Sequence, residues 1–192
     1  TTDDVNIVGY LRNNADSFSL FVQILERTET DAFLNAYGAY TCFAPTNAGV
    51  NIWLSSIGAS SVAAANIDVL KDMVRFHLLV DTITTGSFKD GKLPVPTMFG
   101  QFLVTGVNFE SGTSSYIVNR QANVTKSNIR TGNGIIHQLN RVLVPSRVTI
   151  ARQLETNPSY SIFTEALKAT GFFNFLNTVN ADTSKRWYTV LA

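Results

Sequence analysis

The sequence predicts an α+β domain in which helices come first and β-strands follow, with the beginning of a second copy behind it. Three observations predict this. Apolar residues recur at helical spacing up to about residue 78. Short strand-like runs separated by turns fill residues 102–144. The opening segment also recurs after residue 148, and such self-similarity indicates a repeated structural unit.

Composition narrows the class of protein. The 192 residues are 45% hydrophobic and 15% charged, with a formal net charge of +1. No apolar run approaches the roughly 18 residues of a membrane-spanning helix, so disordered, collagenous and transmembrane classes are excluded. The charges are scattered without a basic block, so nucleic acid is not an expected partner. The chain opens at Thr1 without a methionine or an apolar signal core, which is typical of a mature or trimmed product.

The first elements are two or three short helices followed by a strand. Phe18, Phe21, Val22 and Leu25 lie at helical spacing, and residues 31–37 are predicted to form a further short helix. Residues 40–44 are a β-prone run that Pro45 stops. Thr46 and Asn47 then provide a cap for a helix that continues through Trp53 and Leu54.

The next helix is predicted to begin after Asn66, a residue that caps helix N-termini well. Its apolar stripe contains Ile67, Leu70, Val74, His77 and Leu78. The pattern therefore extends this helix to residue 78 and places His77 on its apolar face.

Strands close the unit. The candidates are residues 102–107, 115–119, 122–125 and 135–144, with turns at Asp90-Gly91 and Asn133-Gly134. On the last strand, His137 shares a face with Ile135, Leu139 and Leu143. Residues 87–100 contain two phenylalanines, two prolines and a methionine, and they either form an exposed apolar loop or cover the sheet.

The repeat defines the domain organisation. Residues 5–35 match residues 148–177, and residues 40–44 are echoed by residues 188–192. The matched pairs are Leu11 with Leu154, Asn14 with Asn157, Phe21 with Phe163, Leu25 with Leu167, Phe33 with Phe175, Leu34 with Leu176 and Asn35 with Asn177. We expect a complete domain over residues 1–147 and a truncated, mostly helical start of a second over residues 148–192. So short an apolar segment is expected to pack on the first unit or on a neighbouring chain.

Three stretches resemble the fasciclin-like (fasciclin I-type) domain family. Residues 40–47 read Tyr-Thr-Cys-Phe-Ala-Pro-Thr-Asn, similar to the family signature Thr-Val-Phe-Ala-Pro-Thr-Asn. Phe76 and His77 stand where a Tyr-His pair is usual. Residues 133–137 and 142–145 resemble the second signature, Asn-Gly-Val-Ile-His followed by Val-Leu-Leu-Pro. The sequence departs from the family at Cys42, at Gly49-Val50 in place of Ala-Phe, and at Phe76, which lacks the phenolic hydroxyl.

The resemblance implies a wedge-shaped α+β domain, a twisted β-sandwich flanked by several N-terminal and middle helices. It also implies cell adhesion or matrix contact, commonly by tandem copies outside the cell. By the same resemblance the candidate binding residues are Thr46, Asn47, Phe76, His77 and His137.

The residue chemistry favours a structural role for these positions. His77 and His137 are the only histidines, both lie on predicted apolar faces, and no HxH or HExxH spacing provides a metal site. Thr46 and Asn47 stand where a strand ends and a helix begins, and their side chains are natural hydrogen-bond partners for a buried imidazole at that place. Cys42 is predicted to be a buried packing thiol, and as the single cysteine it can form neither an intrachain disulfide nor a cysteine zinc cluster.

The function that this sequence predicts is non-enzymatic adhesion or ligand binding in a secreted or surface-anchored protein, without metal or cofactor. The chain lacks a nucleophile elbow, a Walker loop and a dinucleotide glycine pattern. The expected partner is a cell-surface or matrix protein, or a glycan, with membrane attachment only through an anchor outside this chain and self-association through residues 148–192. The alternatives are a carbohydrate-binding or spacer module in a bacterial cell envelope, for instance in a lipoprotein, and a hydrolase.

Overall fold

The computed structural model describes residues 5–35, 38–110, 112–178 and 188–192. It contains two compact units, Thr1–Pro145 and Ser146–Ala192. The helices of the first unit are α1 (Ile7–Asn13), α2 (Ala15–Arg27), α3 (Thr30–Asn35), α4 (Asn47–Ser56) and α5 (Ile67–Phe76). Its strands are β1 (Tyr40–Pro45), β2 (Leu78–Leu79), β3 (Gly91–Lys92), β4 (Val104–Glu110), β5 (Thr113–Val118), β6 (Ala122–Thr131) and β7 (Gly134–Leu139).

The seven strands form one curled sheet in the order β2-β1-β7-β6-β5-β4-β3. β1 and β7 are parallel, and every other pair is antiparallel. β6 pairs with β5 at its beginning and with β7 along its length, and its register shifts twice between Val124 and Ile129. Such bulges bend a strand and increase its twist, so β6 is where the sheet curls. The α+β class that the sequence predicts is confirmed.

Strand β1, which lies between β2 and β7, is buried on both faces and separates two apolar clusters. Cys42 and Ala44 face the cluster that contains Phe18 and Phe21 of α2. Phe43 faces the other cluster, together with residues from the β-rich half of the unit. The predicted packing role of Cys42 is confirmed, since its side chain is buried and burial raises the pKa of its thiol.

The helix starts agree with the sequence pattern. Thr46 is the N-cap of α4, and its hydroxyl accepts a hydrogen bond from the N–H of Gly49. Asn66 is the N-cap of α5, and its side chain accepts from the N–H groups of Asp68 and Val69. These are the side chains that cap helices well because they satisfy N–H groups the first turn leaves free.

Several predicted boundaries are wrong. α5 ends at Phe76 rather than at residue 78, because the N–H of His77 turns back to the carbonyl of Val74 and Leu78 begins β2. β7 ends at Leu139 rather than at residue 144, since Asn140 bonds to Asn123 through both its backbone N–H and its side chain. β6 runs well past residue 125, and β4 is shifted towards residue 110. α3 ends at Asn35, and the rest of the helix predicted over residues 31–37 lies outside the described residues.

Residues 87–100 cover the sheet rather than forming an exposed apolar loop. Phe88 and Leu93 are buried, and Phe99 is half-buried. The N–H of Met98 donates to the carbonyl of Leu78, and the N–H of Phe99 donates to the carbonyl of Arg75. These two bonds hold the segment against the end of α5.

The second unit is helical. Its helices are α6 (Ile150–Glu155), α7 (Ser161–Ala169) and α8 (Phe172–Leu176), with a 3₁₀ turn at Pro158–Tyr160. Thr149 caps α6, while residues 188–192 form neither helix nor strand. Large apolar side chains are exposed on this unit, among them Ile162 (84%) and Phe172 (58%). Across the described parts of both units, no helix combines the length and the apolar character that crossing a membrane requires.

Candidate functional site

The sequence-predicted site residues lie on or near β1 and β7, the two parallel neighbouring strands of the sheet. Phe43 of β1 stands opposite His137 of β7. Thr46 and Asn47 follow directly after β1, and Phe76 and His77 lie at the C-terminal end of α5. The parallel pairing brings signature residues that are about 90 positions apart in the sequence to neighbouring positions.

His77 is fully buried and uses both ring nitrogens. The N–H of Leu143 donates to Nε2 at 2.9 Å, so Nε2 is an acceptor. Nδ1 therefore carries the proton and donates it to the carbonyl of Met73 at 2.7 Å. Burial lowers the pKa of His77 to about 4, which keeps the ring neutral near pH 7. The ring thus joins the end of α5 to the segment that follows β7.

His137 makes a similar joint on the other side of the sheet. Its Nδ1 accepts the N–H of Asn128 at 3.4 Å, and its Nε2 donates to the carbonyl of Ile83 at 2.8 Å. The ring lies 5.1 Å from the ring of Phe88 and 5.2 Å from that of Phe43, centroid to centroid. Burial lowers the pKa of this histidine as well.

Thr46 and Asn47 are not the partners of either histidine, contrary to the sequence-based expectation. The hydroxyl of Thr46 is used by the cap of α4. The side chain of Asn47 turns towards α2, where its Oδ1 accepts the N–H of Leu20 at 2.9 Å and its Nδ2 donates to the hydroxyl of Ser19 at 3.0 Å. Neighbouring backbone groups satisfy the histidines instead, because the end of α5 presents a free carbonyl within reach of His77.

Phe76 and His77 face different clusters although they are adjacent in the sequence. Phe76 packs edge-on against Phe99 at 5.9 Å, in the cluster that contains Phe43. The His77 ring lies 6.2 Å from the ring of Phe21 in α2. The pair therefore links the two halves of the unit through packing.

Sequence reasoning assigned Asn133 to a turn and missed its second role. Its Oδ1 accepts the N–H of Ile7 at 2.9 Å, and its Nδ2 donates to the carbonyl of Leu34. This side chain ties the β6–β7 turn to α1 and α3, and a role beyond the turn was signalled by its place in the second signature. An open cleft of about 290 Å³ lies beside it, lined by Gly38, Ala39, Thr82, Arg130, Thr131, Gly132, Asn133, Gly134 and Ile135.

Asn128 was not singled out in the sequence either. It adopts a positive φ of 55° within β6, at the register shift. Its side chain bonds to both the N–H and the hydroxyl of Thr85. Because its own N–H reaches His137, Asn128 connects the bulge in β6 to the buried imidazole. No simple spacing rule predicts a bulge, so this residue had no sequence signal.

The side chains of this region hold segments of the fold together. Both imidazoles are buried, and their ring nitrogens are hydrogen-bonded to backbone groups. Cys42 is also buried. In the part of the chain that the structure describes, no three His, Cys, Asp or Glu side chains come together to hold a metal ion.

Comparison with known proteins gives concordant results. A family model described as "Fasciclin domain" matches residues 16–145. Stabilin-1 from Mus musculus is 27% identical over 146 residues, which are 76% of this chain and 6% of that protein. Protein sll1483 from Synechocystis is 25% identical over 144 residues, which are 75% of this chain and 76% of that protein. This chain therefore spans only a small part of stabilin-1 but most of the Synechocystis protein.

A solved structure shares the fold. It is a FAS1 domain pair from the insect cell adhesion molecule Fasciclin I, with a TM-score of 0.53 and 19% identity, covering 82% of this chain and 55% of the other. The signatures on β1 and β7, the curled seven-stranded sheet and the family match over residues 16–145 lead to one assignment. This chain belongs to the fasciclin domain family.

Proposed function

We propose that this chain is a non-enzymatic adhesion or ligand-binding module of a secreted or surface-anchored protein. The observation that carries the proposal is the fasciclin family match over residues 16–145. The solved structure that shares its fold comes from a protein described as a cell adhesion molecule. The expected partner is a cell-surface or matrix protein, met outside the cell or on the outer face of a bacterial envelope.

The signature residues support a binding role that is indirect. Thr46, Asn47, Phe76, His77 and His137 are engaged in caps, backbone bonds and packing. We assign them the task of fixing the shape of the surface that a partner contacts. Replacing His77 with Ala then weakens binding only as far as it loosens the fold. A variant that lost binding at an unchanged thermal midpoint would contradict this role.

The domain organisation belongs to the same proposal. Residues 1–147 act as the complete module, and residues 148–192 are the start of a second. The counterparts of the buried Phe21, Leu25 and Leu34 in that segment, Phe163, Leu167 and Leu176, are only half-buried. This exposed apolar surface supports self-association through residues 148–192.

Carbohydrate binding is the alternative that the test must separate. Glycan sites commonly present several exposed aromatic rings, and here the β-rich half gives weak support. Phe109 is 72% exposed, but Tyr116 packs edge-on against Phe88, and the Phe102 ring lies under the ammonium of Lys92.

The experiment is a binding screen of the immobilised chain against matrix proteins, whole cells and a glycan array. Saturable binding to a matrix protein or to cells supports adhesion, and saturable binding to glycans alone supports the carbohydrate alternative. A longer chain with a complete second unit is screened in parallel, because signal from that chain alone would assign the site to the second unit. No binding by either would contradict adhesion and leave a spacer role. The matched control is Asp68→Ala on the exposed face of α5, which should bind as the unmodified chain does.

A further inference from the structure

We propose that His137 is an acid-sensitive latch: protonation of its ring releases residues 81–88 from the bulge in β6 and opens the apolar cluster around Phe88, while the helices on the other face of β1 stay folded. Residues 81–88 follow β2 and contain one 3₁₀ turn, Thr85–Ser87. They contribute the buried side chains of Ile83 and Phe88 to that cluster. Releasing them would therefore expose apolar surface that is buried at neutral pH.

Side chains rather than a strand ladder hold this segment against the sheet. In the described part of the chain, its hydrogen bonds to the sheet run through Thr41, Asn128 and His137. The hydroxyl of Thr41 accepts the N–H of Ile83 at 2.8 Å and donates to the carbonyl of Asp81 at 2.6 Å. A segment held by few bonds can open at a lower free energy than the whole unit.

His137 and Asn128 form the acid-sensitive part of these contacts. Nε2 of His137 donates to the carbonyl of Ile83 at 2.8 Å, and Nδ1 accepts the N–H of Asn128 at 3.4 Å. The side chain of Asn128 in turn bonds to the N–H of Thr85 at 2.9 Å and to its hydroxyl at 2.6 Å. One imidazole and one amide therefore join the segment to β7 and β6.

Protonation changes the side of the ring that faces β6. A charged imidazole carries a hydrogen on both nitrogens, so Nδ1 can no longer accept the N–H of Asn128, and two N–H groups then point at each other. Asn128 has a φ of 55°, a left-handed conformation that persists where surrounding contacts hold it. Losing the contact with His137 therefore favours a shift of the bulge, and this shift strains the bonds to Thr85.

The surroundings of His137 do not neutralise a charge on the ring. The rings of Phe43 and Phe88 lie 5.2 Å and 5.1 Å from it, centroid to centroid. Burial lowers the pKa of His137 and the bond to Ile83 raises it, and no carboxylate acts on it. The protonated ring is therefore more stable when the segment opens and water reaches it.

The titratable groups on the elements packed around His137 do not change this conclusion. They are cationic, bonded elsewhere or neutral in acid. Arg130 stands opposite Ile135, on the face that His137 shares, and a cation there opposes a second one. The others are Asp81, whose Oδ1 accepts the N–H of Thr82, Lys89, which is exposed, Lys126, which donates to the hydroxyl of Tyr10, and Tyr116, a phenol that carries no charge in acid.

The cluster on the other face of β1 does not depend on the latch. Cys42 and Ala44 of β1 face the cluster that contains α2, whereas Phe43 faces the cluster that residues 81–88 cover. The two clusters share the strand but not its side chains. The β-rich cluster can therefore open while α2 keeps its packing.

Amide hydrogen exchange of the full chain, resolved by NMR at pH 7, 6 and 5, tests the latch. The N–H groups of Ile83 and Thr85 report opening of the segment, and those of α2 report unfolding of the whole unit. Because protonation is favoured only in the open state below pH 6.5, we expect protection of Ile83 and Thr85 to fall about fivefold from pH 6 to pH 5. Their protection should stay below that of α2 and depend less on urea. Equal protection of Ile83, Thr85 and α2 at pH 5 would overturn the proposal, since the segment would then open only with the whole unit.

The matched variants are His137→Gln and His77→Gln. The acid-induced loss of protection at Ile83 and Thr85 should disappear in His137→Gln and persist in His77→Gln. An unchanged acid response in His137→Gln would contradict the latch.

A further variant keeps the test decisive if His137→Gln does not fold, which its α2 amides would show at pH 7. Asn128→Gly accepts the positive φ but lacks the two bonds to Thr85. Protection of Thr85 should fall about tenfold at pH 7 in this variant, and unchanged protection would overturn the role of Asn128 in the latch. The latch does not rest on adhesion, and its test needs no ligand.

Discussion

At the scale of single residues, the two buried histidines are the most consequential feature of this unit. Each ring accepts one backbone N–H and donates to one carbonyl, and the bonded groups come from distant segments. A protonated imidazole has no acceptor, so acid removes one bond from each joint and adds a buried charge. The neutral imidazole rings therefore stabilise the folded state near pH 7, and their protonation in acid destabilises it.

Stability should therefore decline as the pH falls from about 6.5 towards 4. The folded-state pKa of His77 is about 4, below the ordinary value of 6.5, so the unfolded chain binds more protons throughout this window. The loss should reach about 3 kcal/mol from His77 at pH 4, and His137 acts in the same direction. Urea denaturation at several pH values measures it.

The control for this prediction is His77→Gln, which removes one titrating group. The variant should be less stable at pH 7, but its free energy of unfolding should fall less steeply between pH 6.5 and 4. Titrating carboxylates affect both chains alike, so the difference in slope isolates His77. Identical slopes would show that His77 does not titrate in the way its burial implies.

Gly49 is a second residue whose identity the packing requires. A Cβ at this position would stand 2.7 Å from the carbonyl oxygen of Asn140 and 3.0 Å from the Cα of Arg141. We expect Gly49→Ala to destabilise the unit by about 1–3 kcal/mol, because overpacking exceeds the gain in helix propensity. Thermal unfolding measures the effect. Asn51→Ala, at an exposed position on the same helix, is the control and should be neutral or slightly stabilising. Equal changes in stability for Gly49→Ala and Asn51→Ala would contradict the packing argument.

At the scale of elements, the sequence predicted what local rules determine. Asn66 and Thr46 mark helix starts because capping depends on the residue itself. The apolar spacing of Phe18, Phe21 and Leu25 predicts a helix because it depends only on periodicity. Boundaries that depend on tertiary partners were wrong, as at the end of α5, where β2 begins and joins β1.

The candidate site shows the same division between local and tertiary information. The burial of His77 and His137 followed from the faces of their predicted elements, and the structure agrees. Their partners did not follow, because the carbonyls of Met73 and Ile83 carry no side-chain signal. Hydrogen bonds to backbone groups depend on geometry that residue identity does not encode.

The junction between α2 and α4 gives a prediction at this scale. Asn47→Ala removes the acceptor for the N–H of Leu20 and the donor to Ser19. The cost should be about 1–3 kcal/mol, because partners in this junction lose their hydrogen bonds. Chemical denaturation of Asn47→Ala and of the exposed Asn51→Ala tests this. Equal stability of the two variants would mean that the junction contributes nothing.

At the scale of the whole molecule, the second unit can be removed without cutting into the first. The boundary between the compact units falls after Pro145. A chain that ends there should associate less, because exposed side chains such as Ile162 and Phe172 are gone. Light scattering across a concentration series measures the change. Identical masses for the two chains at every concentration would contradict self-association through residues 148–192.

The pairing of β1 with β7 affects the rate at which the unit folds as well as its final structure. β1 and β7 are separated in the sequence by most of the unit, so the chain must close a long loop before these two strands can pair. Folds dominated by such distant contacts fold slowly, on the order of milliseconds to seconds. During synthesis, α1 to α5 emerge before β7, so their apolar faces stay exposed until β7 has been made. A nascent chain interrupted before Gly134 would therefore carry helices without the β1–β7 pair, and it should be a ready substrate for chaperones and proteases.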